Sequence, residues 1–248
     1  MAQARPQVAL IHGLGLDRGM WRRCAPELNR RFEVRTVDLL GHGDRSAAPM
    51  GLSLRDLAGA VDLAAGTHVV GFSLGGLVAL RLALDCPGLV RSMVVVSTIG
   101  LRTATERMRI RQRFAAAQRN HDDGVDEMIG RWFRTEWRER DAPLADELAT
   151  LLRRQDRGSY LACYDLFCRA DLEIWPWLGA IEAPVTAITG ADDGGATPAM
   201  LEKLVTTLPH AAGSVVPGAA HLLPLERPDI VTRTVIDHVE AVERRVRA

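Results

Sequence analysis

Short apolar runs rich in β-branched residues alternate along this chain with amphipathic helical stretches, and that alternation leaves few folds open. The runs cover residues 8–12, 32–37, 68–72, 92–97, 184–189 and 213–216. Between them lie predicted helices at about 19–30, 54–63, 74–85 and 198–208, with a last one from 228 to about 244. Pro198 and Pro228 fall where proline is tolerated, in a first helical turn. Strands separated by helices in this way pair in parallel and are covered on both faces. The alternation stops between about residues 100 and 178, where the sequence is helical, arginine-rich and studded with tryptophan. The chain therefore divides into an α/β core, residues 1–99 and 180–248, and a helical cap or lid insertion, residues 100–179. An insertion at that point sits at the carboxyl ends of the strands, where it can exclude water and shape a pocket.

Composition narrows the function classes. A length of 248 residues suits one α/β domain with an insertion, and its core needs no staples. Formal net charge is zero and 47% of residues are hydrophobic, which argues against a polyanion-binding surface and so against nucleic acid as a partner. The first seven residues lead into a strand rather than an apolar targeting run, and no run approaches a membrane span. A cytoplasmic protein without a membrane partner is expected, its oligomeric state left open. Cys24, Cys86, Cys163 and Cys168 lack zinc-ligand spacing and read as small buried apolar residues; neither a metal nor another cofactor is expected.

The chemistry concentrates at Gly71-Phe72-Ser73-Leu74-Gly75, between a strand-like run and a helical one. A serine between two glycines at this spacing can occupy a strained strand-to-helix turn, because the glycines carry no β-carbon to clash where the backbone doubles back. Such a nucleophile elbow lifts the hydroxyl above the sheet, beside the N–H groups of the next helix. A serine hydroxyl still needs a base, and the base needs an orienting group. Asp192 and Asp193 both follow the strand at 184–189; Asp193 is the preferred acid and Asp192 the alternative, since either neighbour can point inward. His221 follows the strand at 213–216 and is the candidate base. His68 lies at the wrong end of its strand, and His121, His210 and His238 fall in helical or linking segments. The order Ser73, Asp193, His221 matches that of hydrolases built on such a sheet. Negative charge developing on a carbonyl oxygen needs donors, for which the N–H of Leu74 and that of Leu14, in His12-Gly13-Leu14-Gly15, are the candidates. His12 itself reads as structural, as does the turn from Asp38 to Ser46.

Within the insertion, Arg102, Arg107, Arg109, Arg111, Arg113 and Arg119 have only Glu106 as a nearby acid. Spread over every phase of a helix, most should point to water, although one turned inward could grip a substrate carboxylate. Trp132, Phe133, Trp137, Trp175 and Trp177 fit the insertion's own core better than a substrate cage, and Trp132 is kept as the candidate substrate contact.

Taken together, the His-Gly loop, the Gly41-His42-Gly43 turn, the elbow, the late aspartate and the late histidine resemble the α/β-hydrolase superfamily over essentially the whole chain. The closer likeness is to 3-oxoadipate enol-lactonases, carried by residues 12–17 with Met20-Trp21, by Arg131-Trp132-Phe133, by residues 159–163, by residues 193–198 and by residues 218–222. The resemblance implies a cofactor-independent serine hydrolase that cleaves a small carboxylic ester or lactone through an acyl-enzyme. A general carboxylesterase, a carbon–carbon bond hydrolase or lyase on the same triad, and a low-turnover binding protein on this scaffold are the alternatives. Two departures stand out. Family members usually begin with a β-hairpin that this chain is too short to hold, so the first two strands should be missing and residues 32–37 should form an edge. The lactonases also tend to carry Leu-Ser-Met at the elbow, where this chain has Phe72-Ser73-Leu74.

Overall fold

Burial along each strand reports its place in the sheet. In the computed structural model, which describes residues 5–247 and leaves the first four residues of the amino-terminal stretch outside, the strands are β1 (Gln7–Ile11), β2 (Glu33–Val37), β3 (Thr67–Phe72), β4 (Val90–Val96), β5 (Val185–Gly190) and β6 (Ala211–Val216). They pair in the order β2-β1-β3-β4-β5-β6, every pairing parallel. β3, flanked on both sides, is buried at every residue. β2 is an edge, as expected, and only Val37 in it is fully buried; its Glu33 and Arg35 put charge on that edge.

Two strands begin earlier than their sequence announces. β4 starts at Val90 because Arg91 forms a bulge: Thr67 pairs with Val90 but His68 with Ser92. Ala211 and Ala212 have little strand propensity and are recruited by pairing with Val185 and Thr186.

The helices of the core are α1 (Ala25–Leu28), α2 (Leu54–Gly59) and α3 (Leu74–Asp85). The insertion adds α4 (Ala104–Arg119), α5 (His121–Trp132), α6 (Thr135–Arg140), α7 (Ala142–Arg154) and α8 (Arg157–Ile174). The core closes with α9 (Pro198–Thr207), α10 (Leu223–Glu226) and α11 (Pro228–Arg247). Pro198 and Pro228 begin their helices, as anticipated. The single helix expected over 19–30 is instead a 3₁₀ turn at Arg18–Trp21 followed by α1, because Pro26 has no N–H to return to Arg22. α2 starts on a Ser53–Asp56 capping box and stops at Gly59, short of residue 63. In α11 the buried Val231, Val235, Val239 and Val242 recur at helical spacing and form one stripe, and the helix lies against β4.

The insertion between β4 and β5 contributes no strand among the described residues. α4 packs on α8 and α5, and α5 packs on α7 through a stripe that includes Leu144, Leu148 and Leu152. Phe133 and Trp137 stack at 4.1 Å between ring centres and are buried, but Trp177 is 60% exposed and does not belong to that core. Of the arginines, Arg109, Arg111 and Arg119 are exposed, as expected. Arg102 is buried, its guanidinium 2.9 Å from Asp171, which binds Arg107 as well at 2.8 Å. Asp171 lies on α8, some seventy residues away, so its partnership could not be read locally. Cys86 is exposed, whereas Cys24, Cys163 and Cys168 are buried.

The strand order places a crevice. The chain steps from β1 out to β2 and returns across β1 to β3, so the loops leaving β1 and β3 depart in opposite directions at their carboxyl ends. Ser73 follows β3 and the His12-Gly13-Leu14 loop follows β1 at that reversal.

At the opposite ends of the strands sits a polar cluster in which His68 and Ser92 are buried and Thr186, His238 and Glu243 are partly buried. His68 Nδ1 lies 2.7 Å from the Ser92 hydroxyl and Nε2 3.2 Å from Glu243, while His238 Nδ1 lies 2.8 Å from the Thr186 hydroxyl. Burial pulls both imidazoles down from 6.5, His238 to about 4, with Glu243 only partly offsetting this for His68. Between pH 6.5 and about 4 the unfolded chain therefore binds protons that native His238 does not. Stability is complete above that window and falls as pH drops through it, by up to about 1.4 kcal/mol per pH unit for one proton. Thermal unfolding followed from pH 7 to 4.5 should show this decline, and His238→Asn should make it shallower.

Candidate active site

One residue turns the chain from β3 into α3. Ser73 has φ 51° and ψ −113°, a conformation that costs a side-chain-bearing residue about 1–3 kcal/mol and persists only when its surroundings enforce it. Its N–H donates to the carbonyl of Val96 on β4 at 2.9 Å, and its own carbonyl accepts from Gly76 N–H at 3.0 Å. The flanking glycines make room. A β-carbon on Gly71 would overlap the backbone of Gly75 and Gly76, and one on Gly75 would overlap the carbonyls of Ile11 and His12. The helix can thus start directly against the end of β1.

The aspartate loop and the histidine loop meet over the end of β5. A β-carbon on Gly190 would overlap the carbonyls of Ala219 and Ala220, so this glycine is what lets the histidine loop cross. Asp193 Oδ1 accepts from the N–H groups of Gly195 at 2.7 Å and Ala196 at 2.8 Å, and Oδ2 lies 2.8 Å from His221 Nδ1. A carboxylate can only accept, so Nδ1 carries the proton and Nε2 is left as an acceptor. Of the two neighbouring acids, Asp193 is buried and meets His221, while Asp192 is half exposed and faces Arg134 at 3.5 Å. The His221 ring packs against Phe72 at 5.0 Å and Trp132 at 6.4 Å.

The loop after β1 is held by histidines that stay neutral. His12 Nδ1 donates to the Gly13 carbonyl and Nε2 accepts from Leu39 N–H at 2.9 Å; His42 Nε2 accepts from Gly15 N–H at 3.1 Å. Burial pulls His12 to about 4 and His42 to about 3, consistent with both acting as acceptors near neutral pH. Both rings tie the β1 loop to the turn after β2. Gly13 lies so close to Ser73 that a β-carbon on it would sit 3.1 Å from the serine Cβ. Leu14 follows directly and faces the cavity, and Leu74 begins α3, where a helix leaves its first N–H groups without internal acceptors.

A strained serine at a strand-to-helix turn agrees with what sequence comparison finds: residues 8–234 match the model of the alpha/beta hydrolase family. The chain belongs to that family. Among relatives of this hydrolase, the (E)-2-((N-methylformamido)methylene)succinate hydrolase of Acinetobacter baylyi is 25% identical over 92% of this chain and 88% of its own length. The pimeloyl-[acyl-carrier protein] methyl ester esterase of Neisseria meningitidis is 30% identical over 98% of this chain and 96% of its own. Among solved structures, the enol-lactonase of Burkholderia xenovorans superposes with a TM-score of 0.87 at 24% identity, covering 96% of this chain and 92% of that one, a likeness of fold.

In this hydrolase Ser73 and His221 open into one cavity, lined on its far side by residues of the insertion. Ile110, Met128, Trp132 and Tyr164 of the insertion line it. Trp132 lines the cavity beside His221, and its carbonyl accepts the N–H of His221 at 3.1 Å, so the insertion is hydrogen-bonded to the histidine loop itself. Arg113, one of the arginines of which the sequence allowed one to turn inward, and Arg131, beside Trp132, also line the cavity. Ile110, Arg113 and Ala117 share one face of α4, and Met128, Arg131 and Trp132 one face of α5, at spacings of three and four.

Crowding at the elbow gives a stability test. Gly75→Ala should destabilise the hydrolase by about 1–3 kcal/mol or more, whereas Gly88→Ala, with nothing within 4 Å of the new methyl, should stay within about 0.5 kcal/mol. Urea unfolding of the two variants measures the difference.

Proposed function

We propose that this hydrolase cleaves a carboxylic ester or lactone through an acyl-enzyme on Ser73. One observation carries the reading: a serine forced into the left-handed region at a strand-to-helix turn shares a cavity with a histidine whose far nitrogen is bound to a buried aspartate. His221 Nε2 takes the hydroxyl proton as Ser73 Oγ attacks the carbonyl carbon, then gives it to the departing alkoxide or enolate oxygen. Asp193 holds the imidazole in the required tautomer. The N–H groups of Leu14 and Leu74 receive the oxyanion, each worth about 3–4 kcal/mol. Water, deprotonated in turn by His221, attacks the acyl-enzyme and frees the acid.

The helical insertion acts as a lid that keeps bulk water from the acyl-enzyme, and Trp132 forms the substrate-facing wall nearest His221. The finer, lactonase-like reading draws support from the enol-lactonase fold neighbour, and the ester reading from the methyl ester esterase relative.

Ser73→Ala should abolish turnover of an activated ester with the fold intact, and a fluorophosphonate probe should label the native protein but not this variant. Asp193→Asn should lower kcat by about 10⁴-fold and Asp192→Asn by no more than a few-fold. If the two aspartate variants lose activity equally, Asp193 is not the orienting acid.

A further inference from the structure

The insertion reaches the loop after β1 through one amide side chain. Gln155 directly follows α7, and its Nε2 donates to the carbonyl of Gly15 at 2.5 Å. A carbonyl can only accept, so the amide must present its N–H to it. The amide's own Oε1 is buried with no partner among the described residues, so the bond to Gly15 is what orients the group. An unmatched buried oxygen is costly, and the contact persists despite that cost. Gln155 does not line the cavity that holds Ser73 and therefore touches no substrate there. Gly15 lies close under the insertion: it has φ 77°, and a β-carbon on it would sit 2.5 Å from Leu152 Cδ2.

From Gly15 the contact runs back to the candidate oxyanion donor. Residues 13–16 form a tight turn in which Leu16 N–H donates to the Gly13 carbonyl at 3.2 Å. The Gly15 carbonyl and the Leu16 N–H belong to one peptide unit; the Gly13 carbonyl and the Leu14 N–H belong to another. Each unit is planar and trans, so its carbonyl and its N–H point in opposite directions and turn together. Holding the Gly15 carbonyl thus holds the Leu16 N–H, and through it the peptide whose other end is the N–H of Leu14. His12 Nδ1 holds the same Gly13 carbonyl at 2.8 Å. Hydrogen bonds in a chain also polarise one another, so a donor on Gly15 strengthens the donor at Leu14. We propose that Gln155 is a positioning residue, which aims and polarises the Leu14 N–H toward the oxyanion through these two peptide units. This rests on the ester-hydrolase reading above.

The test uses Gln155→Met, which keeps the length of the side chain and removes its donor, and Gln155→Glu, whose carboxylate cannot donate at pH 8. Three ligands separate the effects: the substrate 4-nitrophenyl butyrate, its product butyrate, and propylboronic acid. The boronic acid takes Ser73 Oγ onto boron, the hydroxyl proton passes to His221 Nε2, and a boron-bound oxygen of the tetrahedral adduct occupies the place of the oxyanion. Both variants should lower kcat by about tenfold or more and keep KM within about threefold. They should weaken inhibition by the boronic acid by about tenfold or more and leave butyrate within about threefold. Circular dichroism establishes that each variant is folded, and partial unfolding would lower the active fraction without moving the boronate inhibition constant. If the native hydrolase turns over the ester and both variants keep its kcat and boronate affinity, the positioning role is wrong and the ester reading stands. If the variants weaken butyrate as much as the boronic acid, Gln155 shapes the pocket and the positioning role again falls. If the native protein binds the boronic acid but turns over no ester, the ester reading falls, and the boronate affinity of the variants alone decides the positioning role. Neither turnover nor boronate binding overturns both.

Discussion

The structure depends on how closely four pieces of backbone approach one another around Ser73. The end of β1, the end of β3, the first turn of α3 and the residues after β4 meet with no space for a side chain at Gly71, Gly75 or Gly76. That contact lets β3 run into α3 through a single residue and presses the loop after β1 against the serine. It also explains how an unfavourable backbone conformation is maintained. Ser73 is fixed by a strand on one side and a helix on the other, and relaxing its φ would separate both from the sheet.

Electrostatics around the site are arranged by subtraction. Seven histidines could in principle serve as bases, yet His12 and His42 are tied neutral into loop contacts and His68 and His238 lie at the far ends of the strands. Among the described residues, His221 alone joins a buried carboxylate on one nitrogen to the cavity on the other. Asp193 keeps its acceptor role because two backbone N–H groups hold its other oxygen, which fixes the carboxylate plane before the imidazole arrives.

Much of this was legible in the sequence, for identifiable reasons. Strand cores announced themselves through β-branched runs, and Ser73, Asp193 and His221 each followed such a run. A choice between Asp192 and Asp193 was not legible, because it turns on whether a loop residue faces Gly195 or Arg134. The short helices after β1 and β2 were overextended, since Pro26 and Gly59 act on backbone bonds that hydrophobic periodicity does not report. Within the insertion, arginines of which most were expected in water fell into distinct environments: Arg102 buried on Asp171, Arg113 lining the cavity together with Arg131. Their fates are set by partners on other helices, the kind of information a local window lacks.

The hydrogen bonds from His221 and Leu222 to the carbonyl of Trp132 have a consequence for how such a site can diversify. The support that the end of α5 gives to the histidine loop is made by main chain, so any residue at position 132 can supply it. The indole at that position, by contrast, faces the cavity and is seen by whatever binds there. Recognition and support are therefore separated within one residue: the side chain is free to be exchanged as substrates change, while the machinery beneath it keeps its anchor.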